Sequence, residues 1–325
     1  MKALTFSVLR QLSSSEFSSG EAIARRLGVS RGSVWQALRD LDQHGIQIFS
    51  LPGRGYRLAE AVQWLNREEI HAALGDKSRL IQLEVVEIAE SSNSILMQKA
   101  ALGAAHGSCL AVELQTRGRG RRGRTWHTSL GGSLTFSLLW RFSQGASHLS
   151  GLSLAVGVAL MRALEQAGIC DAHLKWPNDI LHREQKLAGI LIELQGDMLG
   201  PSAAVIGIGL NLKLAAPVRA NIDQAATDIA TIQPDLPNRN HLLALILNHL
   251  SGVLRQFEAE GFDRLREEWS RHHCYHDKAV RMLLPDGSEY HGMVTGVAED
   301  GALLVRGKDE ERRFTAGEIS MRSNA

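Results

Sequence analysis

The chain has 325 residues, 44% hydrophobic and 22% charged, so it is long enough for two or three domains with a sizeable buried core. Its formal net charge of +1 excludes recruitment of nucleic acid or an anionic membrane by overall charge, so any electrostatic partner must be met by a local patch. The 3 cysteines are widely spaced and form no CxxC pair, which argues against a disulfide framework and predicts a reducing compartment, the cytoplasm.

Residues 1–60 predict a small unit of three helices and a two-stranded wing. The predicted helices cover residues 4–12, 21–27 and 33–43, and Ser30 is placed to cap the third. A strand at 46–50, a Pro-Gly-Arg-Gly turn at 52–55 and a return strand from residue 56 follow. This order predicts a winged helix-turn-helix.

The winged unit has more basic than acidic residues, and the excess falls where DNA would lie. The predicted DNA contacts, at the start of the third helix and the wing tip, are Ser30, Arg31, Ser33, Gln36 and Arg54. Trp35 on the same helix is predicted to pack inside the unit. A winged unit that binds protein is the alternative, because helix-turn-helix spacing does not by itself specify nucleic acid.

A larger mixed segment follows, with apolar runs that predict strands at 83–88, 108–114, 133–142, 187–194 and 203–212. Helical patterns cover residues 94–102, 149–168 and 240–270. The richest apolar helix contains Arg162 and Glu165, so it is predicted to be buried in protein rather than to span a membrane. Runs of strands with few intervening helices predict an α+β sheet.

Residues 116–126, named here the arginine loop, combine five arginines and three glycines and end in Trp126. Charge this dense cannot be buried unpaired, and glycine lets the backbone approach a ligand closely, so the loop is predicted to hold an anion. A flexible Arg/Gly tail or a generic nucleic-acid patch is the alternative. The predicted strands on both sides favour a loop held within a fold.

Two further polar segments accompany the loop. Lys175 and Asp179 flank a Trp-Pro-Asn turn, and Lys186 follows at the start of a strand, which predicts two cations and one metal-capable carboxylate around a phosphate. A turn with ordinary surface charges is the alternative. Earlier, residues 90–93 join a strand to a helix with hydroxyls and an amide that can bind a polar headgroup or cap the helix.

The last fifty residues change character and predict a small all-β barrel. Its predicted strands are 278–284, 290–297, 302–306 and 312–319, separated by turns at 285–287 and 299–301.

The order of these motifs resembles the biotin protein ligases. The segments that carry the resemblance are Ser91-Ser92-Asn93, Gln115 with the arginine loop, the Lys-Trp-Pro-Asn-Asp run 175–179, the Lys-Leu-Ala-Gly-Ile-Leu run 186–191 and the Gly-Ile-Gly-Leu-Asn run 207–211. With the winged unit and the C-terminal β domain, the resemblance covers essentially the whole chain and extends to the bifunctional members, which also repress the biotin operon. It implies a winged domain at 1–62, a mixed-sheet catalytic domain of the biotin/lipoate ligase type at 63–272 and an SH3-like barrel at 273–325.

The resemblance also implies residue roles. Biotin contacts are expected from Ser91, Ser92, Asn93, Gln115, Arg119, Gly120, Arg121 and Lys186. Nucleotide contacts are expected from Arg121, Trp126, Lys175, Asn178 and Asn211. The expected catalytic residues are Arg119, Arg121, Lys186 and Asp179, with Asp179 as the candidate ligand of Mg²⁺. Gly118, Gly120 and Gly123 are expected to let the arginine loop fold over the ligand.

The implied reaction has two steps. ATP and biotin give biotinyl-5′-AMP, and the biotinyl group then passes to a lysine of the biotin carboxyl carrier protein of acetyl-CoA carboxylase. The resemblance also implies a homodimer that binds operator DNA of the biotin biosynthesis genes, and no membrane partner. Three alternatives stay open: a related acyl-adenylating ligase such as one for lipoate, a DNA-binding sensor without efficient transfer, and a ligase that has lost DNA binding.

Overall fold

The computed structural model describes residues 3–39, 41–196, 199–284, 287–315 and 320–323. Its α-helices are α1 (Ala3–Leu9), α2 (Gly20–Leu27), α3 (Arg31–Leu38), α4 (Arg67–Leu74), α5 (Ser92–Ala101), α6 (Leu152–Gln166), α7 (Ala216–Arg219), α8 (Ile229–Ile232), α9 (Arg239–Glu260) and α10 (Asp263–His272). Its first strands are β1 (Ile48–Leu51), β2 (Gly55–Leu58), β3 (Gln82–Ala89), β4 (Ser108–Gln115), β5 (Gly118–Arg119), β6 (Thr125–Trp126), β7 (Ser133–Phe142) and β8 (His173–Lys175). The later strands are β9 (Asp179–His182), β10 (Gln185–Gly196), β11 (Ser202–Asn211), β12 (Ala279–Leu283), β13 (Glu289–Val297), β14 (Leu303–Arg306), β15 (Glu311–Phe314) and β16 (Ser320–Ser323).

The N-terminal unit is a winged helix-turn-helix, as predicted. Ser30 caps α3 by accepting a hydrogen bond from the Ser33 amide at 3.0 Å, and β1 pairs with β2 to form the wing. Helix α3 is shorter than predicted: it ends at Leu38, and a 3₁₀ turn at Leu41–His44 follows. This break in the helix brings Leu41 into the core of the unit.

The central domain is a mixed sheet in the order β3-β4-β7-β11-β10-β9-β8, in which β3 and β4 are parallel and the other neighbours antiparallel. Both faces are covered. Leu138 belongs to the core formed with α6 and α9, whereas the adjacent Leu139 packs with α5 residues on the other face. Because both faces are covered, every residue of β7 except Arg141 is buried, including the polar Ser133, Thr135 and Ser137.

The predicted helix at 240–270 is two helices. Helix α9 ends at Glu260, because Gly261 adopts φ 74° and the chain turns before α10 begins at Asp263. Helix α4 was not predicted from the sequence. It follows a cap by Asn66, whose side chain accepts from the Glu69 amide at 3.0 Å.

The C-terminal domain is a small antiparallel sheet in the order β15-β14-β13-β12-β16. The strand predicted at 312–319 ends at Phe314, and residues 316–319 of that prediction lie outside the described residues, as do residues 285–286 of the predicted turn. The domain contacts the central domain through the turn before β14. There the Gly301 carbonyl accepts a hydrogen bond from the Trp176 indole N–H at 3.1 Å, and Trp176 is buried.

The winged unit packs on the central sheet, since Leu114 at the end of β4 and Leu130 belong to its hydrophobic core. The segment between β2 and α4 is tied down by a buried ion pair between Arg239 and Glu113 at 3.0 Å. Arg239 also donates to the Gln63 carbonyl, and Glu113 accepts from the Leu65 amide. Strand β4 therefore contacts the winged unit and the linker that leads away from it.

Histidines and a cysteine cluster at residues 271–276, but the described residues contain no group of three or more His, Cys, Asp or Glu side chains that could hold a metal ion. Within this cluster His273 is buried and stacks on Trp269, with ring centroids 4.5 Å apart. Neither of its ring nitrogens has a hydrogen-bond partner among the described residues. Burial lowers the pKa of His273 to about 3.

The low pKa of His273 predicts acid sensitivity. Its folded pKa lies below the unfolded value of about 6.5, so its contribution to stability is complete above pH 6.5 and is lost as the pH falls. We expect the free energy of unfolding to fall by about 1.4 kcal/mol per pH unit below about pH 6 from this group alone. Urea unfolding of wild type and His273→Phe at several pH values measures the difference. The same slope in both proteins would contradict the prediction, and the exposed His241→Gln provides the control.

Candidate active site

One polar cleft gathers segments that lie far apart in the chain, at the ends of strands β4, β8, β9 and β10 and against β11. The sequence-predicted residues that line it are Ser91, Ser92, Asn93, Gln115, Arg119, Gly120, Arg121, Trp126, Lys175, Asn178, Asp179 and Lys186. The meeting in one cleft of so many donors and charges from separate segments of the chain is the arrangement expected of a binding site for a polar, anionic ligand.

One end of the cleft is built at the start of α5. Ser91 caps this helix, and the Ser92 amide donates to Gln115 Oε1 at 2.7 Å. Asn93 is held by Ser137 Oγ, which lies 2.5 Å from its Oδ1. Ser91, Ser92 and Asn93 are each at most 4% exposed, so their polar groups are fixed before any ligand arrives.

The arginine loop is a short β-hairpin. Strand β5 pairs with β6, so that Gly118 lies opposite Trp126 and Arg119 opposite Thr125. Arg122 and Gly123 both adopt left-handed φ values, 56° and 72°, as a type I′ turn requires. Glycine at position 123 takes this conformation without strain. Gly118 and Gly123 thus shape the hairpin and are not among the residues that line the cleft.

Four arginines of the loop line the cleft, namely Arg119, Arg121, Arg122 and Arg124. Arg121 is half-buried and donates from Nη1 to Asn178 Oδ1 at 3.0 Å, and burial lowers its pKa. Arg119 forms an ion pair with Glu193 at 2.9 Å on β10. The hairpin is therefore connected through its arginine side chains to both sides of the cleft.

The opposite end of the cleft carries the lysines and the carboxylate. Lys175 ends β8 and Asp179 begins β9, and the two residues pair directly across the turn between them. Lys186 Nζ lies 2.9 Å from Asp179 Oδ1, an ion pair without hydrogen-bond geometry, and 5.8 Å from the centre of the Trp126 ring. A cation, a carboxylate and an aromatic face thus meet where the sequence predicts phosphate and adenine.

Glycines of β11 make room for two of these side chains. A Cβ atom at Gly207 would lie 2.1 Å from Asn93 Oδ1, and one at Gly209 would lie 2.2 Å from the Trp126 ring. Any side chain at either position would displace its neighbour. The glycines at 207 and 209 stand in the motif that carries the resemblance, but only the folded chain reveals what each one contacts.

Asn211 does not line the cleft. It is buried, and its Nδ2 donates to the Thr227 carbonyl at 3.0 Å and to the Lys186 carbonyl at 3.4 Å. These contacts support the strand that carries Lys186. A direct contact between Asn211 and a nucleotide stays a prediction.

Four of the five predicted DNA-contacting residues are exposed on the winged unit. Ser30, Arg31, Gln36 and Arg54 are exposed, and Ser33 is half-buried. The prediction for Trp35 was wrong: its side chain is 54% exposed, because it lies beside Gln36 on the outer face of α3 while Val34 and Ala37 face the core. In the part of the chain that the structure describes, no helix has the length and apolar character needed to cross a membrane.

Three family models match successive parts of the chain. The HTH domain matches residues 5–57, the biotin/lipoate A/B protein ligase family residues 85–211, and the biotin protein ligase C terminal domain residues 275–322.

Relatives match over most of the chain. The bifunctional ligase/repressor BirA of Escherichia coli is 33% identical over 312 residues, which cover 96% of this chain and 95% of that protein. The biotin--[acetyl-CoA-carboxylase] ligase of Mycobacterium tuberculosis is 32% identical over 71% of this chain and 86% of that protein. Among solved structures, the biotin protein ligase of Aquifex aeolicus in complex with biotin and ATP superposes with a TM-score of 0.63 at 27% identity, covering 74% of this chain and 98% of that one.

Proposed function

Because this chain belongs to the bifunctional ligase/repressor family of biotin protein ligases, we propose that it activates biotin with ATP and transfers it to a biotin carboxyl carrier protein. In the first step, a biotin carboxylate oxygen attacks the α-phosphorus of ATP, giving biotinyl-5′-AMP and pyrophosphate. In the second, a lysine amine of the carrier protein of acetyl-CoA carboxylase attacks the acyl carbon, an amide bond forms, and AMP leaves.

The observation that carries this proposal is the meeting of Arg119, Arg121, Lys175 and Lys186 with the neutral polar end at Ser92 in one cleft. A carboxylate and a triphosphate repel each other, so cations must neutralise them before the bond can form. Arg121 and Lys186 both line the cleft, beside Asn178 and Asp179, and each well-placed donor of this kind contributes about 3 kcal/mol to a charged transition state.

The two ends of the cleft suit the two substrates. Ser91, Ser92, Asn93 and Gln115 offer donors and acceptors to the ureido ring of biotin, and the arginine loop with Gly120 closes over the acyl chain. Trp126 covers adenine, and Lys175 and Asn178 serve the phosphates, with Asn211 acting on the nucleotide through Lys186. The fixed polar groups at Ser92 and Asn93 support the assignment of the biotin end.

The residues present fit a Mg²⁺ ion that is bound mainly through ATP. Asp179 is a half-buried carboxylate in the cleft, next to the amide oxygen of Asn178, and Mg²⁺ commonly takes one or two protein carboxylates and otherwise phosphate oxygens and water. Bound there, the ion would neutralise charge on the phosphates. Asp179 would hold it, at the cost of part of its ion pair with Lys186.

The decisive experiment is mass-spectrometric detection of biotinyl-AMP after incubation with biotin, ATP and magnesium. Parallel reactions with lipoate test the related ligase, and labelled biotin with a carrier domain tests transfer. Adenylate formation with lipoate alone would overturn the substrate assignment. Adenylate without transfer would instead identify a sensor.

We propose that the same chain represses biotin biosynthesis genes as a biotinyl-AMP-bound homodimer in the cytoplasm. The exposed residues Ser30, Arg31, Gln36 and Arg54, with Ser33 beside them, provide the DNA surface. A mobility shift with the promoter region of those genes, with and without biotin and ATP, tests this function, and analytical ultracentrifugation under the same conditions tests the dimer. A full ligase activity without any ligand-dependent shift would identify a ligase that has lost DNA binding.

The arginine loop is expected to order around the intermediate, because its like charges repel until an anion binds. Limited trypsin digestion should cleave the loop at Arg122 or Arg124 in the free protein and at least about tenfold more slowly with biotin and ATP bound. Equal cleavage in both states would contradict this. A site outside the loop, at the exposed Arg264, serves as the internal control.

A further inference from the structure

Glu193 on β10 lies behind the candidate active site and joins two parts of it. Its Oε1 lies 2.9 Å from Nη2 of Arg119, and its Oε2 accepts from Arg119 Nη1 at 3.2 Å and from Asn93 Nδ2 at 3.0 Å. The Glu193 side chain is only 23% exposed. One carboxylate therefore binds the arginine loop and the residue at the floor of the biotin end at the same time.

The contact with Glu193 sets the orientation of the Asn93 amide. The Nδ2 of Asn93 donates to Glu193 and also to the Leu191 carbonyl at 3.2 Å. With both acceptors on the nitrogen side, the Oδ1 of Asn93 must face Ser137. A flipped amide would place oxygen against a carboxylate and a carbonyl, which is repulsive.

The orientation of Asn93 in turn positions the Ser137 hydroxyl, which links Asn93 to Ser92. Ser137 Oγ lies 2.5 Å from Asn93 Oδ1 and 2.7 Å from Ser92 Oγ. Asn93 Oδ1 is only an acceptor, and the geometry has Ser137 Oγ as the donor to both Asn93 Oδ1 and Ser92 Oγ, so its single proton is shared between these two oxygens. Ser137 is fully buried, so no water competes for this chain of hydrogen bonds.

The result is a defined donor and acceptor pattern at the cleft. Ser92 Oγ accepts from Ser137, and it can accept from a ligand or donate its own proton to one. Gln115 uses Oε1 for the Ser92 amide, so it offers a ligand its Nε2 donor. A cyclic urea carries N–H donors beside a carbonyl acceptor and matches that pair, whereas the dithiolane ring of lipoate does not.

We infer that Glu193 is a positioning residue: it orients Asn93 and, through Ser137, places Ser92 to bind the ureido ring, and it holds Arg119 over the same ligand. The inference rests on the proposed function, since it concerns how that pocket recognises biotin. Glu193 does not itself line the cleft, and its effect reaches the ligand through its neighbours.

The test compares Glu193→Ala, Glu193→Gln and Ser137→Ala with wild type. Glu84→Gln is the control: it changes an exposed ion pair between Glu84 on β3 and Lys99 on α5. Biotin dissociation constants, KM for ATP and thermal unfolding are measured for each. We expect Glu193→Ala to raise the biotin dissociation constant at least about tenfold and KM for ATP less than threefold, since a hydrogen bond to a charged group contributes roughly that factor or more. Glu193→Gln keeps one acceptor, so its biotin dissociation constant should lie between those of wild type and Glu193→Ala.

A double variant checks that the residues act in one chain. Ser137→Ala alone should raise the biotin dissociation constant about fivefold. Combined with Glu193→Ala it should raise it little further, because both changes break the same sequence of hydrogen bonds. Three outcomes would overturn the inference. The losses of biotin affinity could be additive in the double variant, the Glu193 variants could keep a biotin dissociation constant within twofold of wild type, or KM for ATP could rise as much as the biotin dissociation constant. If Glu193→Ala does not fold, Glu193→Gln and Ser137→Ala decide alone. A wild-type protein that makes no biotinyl-AMP would instead refute the proposed function.

Discussion

The double variant Arg119→Ala, Arg121→Ala is expected to lose at least about 100-fold in the rate of biotinyl-AMP formation and to release the intermediate faster than wild type. Arg121 lies half-buried at the Asn178 side of the cleft and Arg119 at the Glu193 side, so together they close the loop across it. Their removal takes away two charge-assisted donors and the contacts that hold the hairpin over the ligand. ATP–pyrophosphate exchange and retention of labelled intermediate after gel filtration measure the two effects.

Arg117→Ala provides the matched control for this double variant. Arg117 lies in the same loop, but its side chain is 77% exposed and forms an ion pair with the exposed Glu90 at 3.5 Å. We expect its replacement to change the rate of ATP–pyrophosphate exchange less than about threefold, since exposed ion pairs contribute little free energy. Wild-type exchange and retention in the double variant would contradict the view that the loop shields the intermediate.

The second large effect is expected from Gly209→Ala. The added Cβ would lie 2.2 Å from the Trp126 ring, so the indole must move, and with it the paired strand β5 of the hairpin. A displacement of about 1 Å in an active site commonly costs up to about 100-fold in rate. We expect KM for ATP to rise and adenylate formation to fall roughly 10- to 100-fold, with steady-state kinetics as the measurement.

Two other glycines separate this effect from general destabilisation. Gly207→Ala would collide with Asn93 instead, so it should raise KM for biotin more than KM for ATP. At Gly252, in α9, an added Cβ meets nothing within 4 Å, so Gly252→Ala should stabilise the protein by about 0.5–1 kcal/mol and leave kinetics unchanged. Gly209→Ala with a wild-type KM for ATP would refute the proposed place of Trp126.

Several features of the fold could be predicted because their causes are local. Ser30 was expected to cap α3 from the residue type and its place before a helical pattern, and its hydroxyl does accept the Ser33 amide. The stretch 133–142, rich in apolar residues, predicted a strand, and β7 has those bounds.

Other features depend on partners that are distant in sequence. Trp35 is apolar and was expected inside, but the direction of α3 against its neighbours turns it outward. Glu193 and Ser137 belong to no recognisable sequence motif. Their role beside the cleft follows only from contacts with Arg119, 74 positions from Glu193, and Asn93, 44 positions from Ser137. The hairpin geometry of the arginine loop likewise comes from the pairing of Gly118 with Trp126.

By itself, the amino-acid sequence determined the order of the domains, five of the seven strands of the central sheet and the identity of the charged segments, because residue periodicity, capping and turn chemistry act within a few positions. Only the tertiary structure decided which atoms of these segments meet: Leu114 faces the winged unit while its neighbour Gln115 lines the cleft, and glycines of β11 admit Asn93 and Trp126. The physical reason is that hydrogen-bond direction and steric fit depend on distances of a few ångströms between segments that the chain itself keeps far apart.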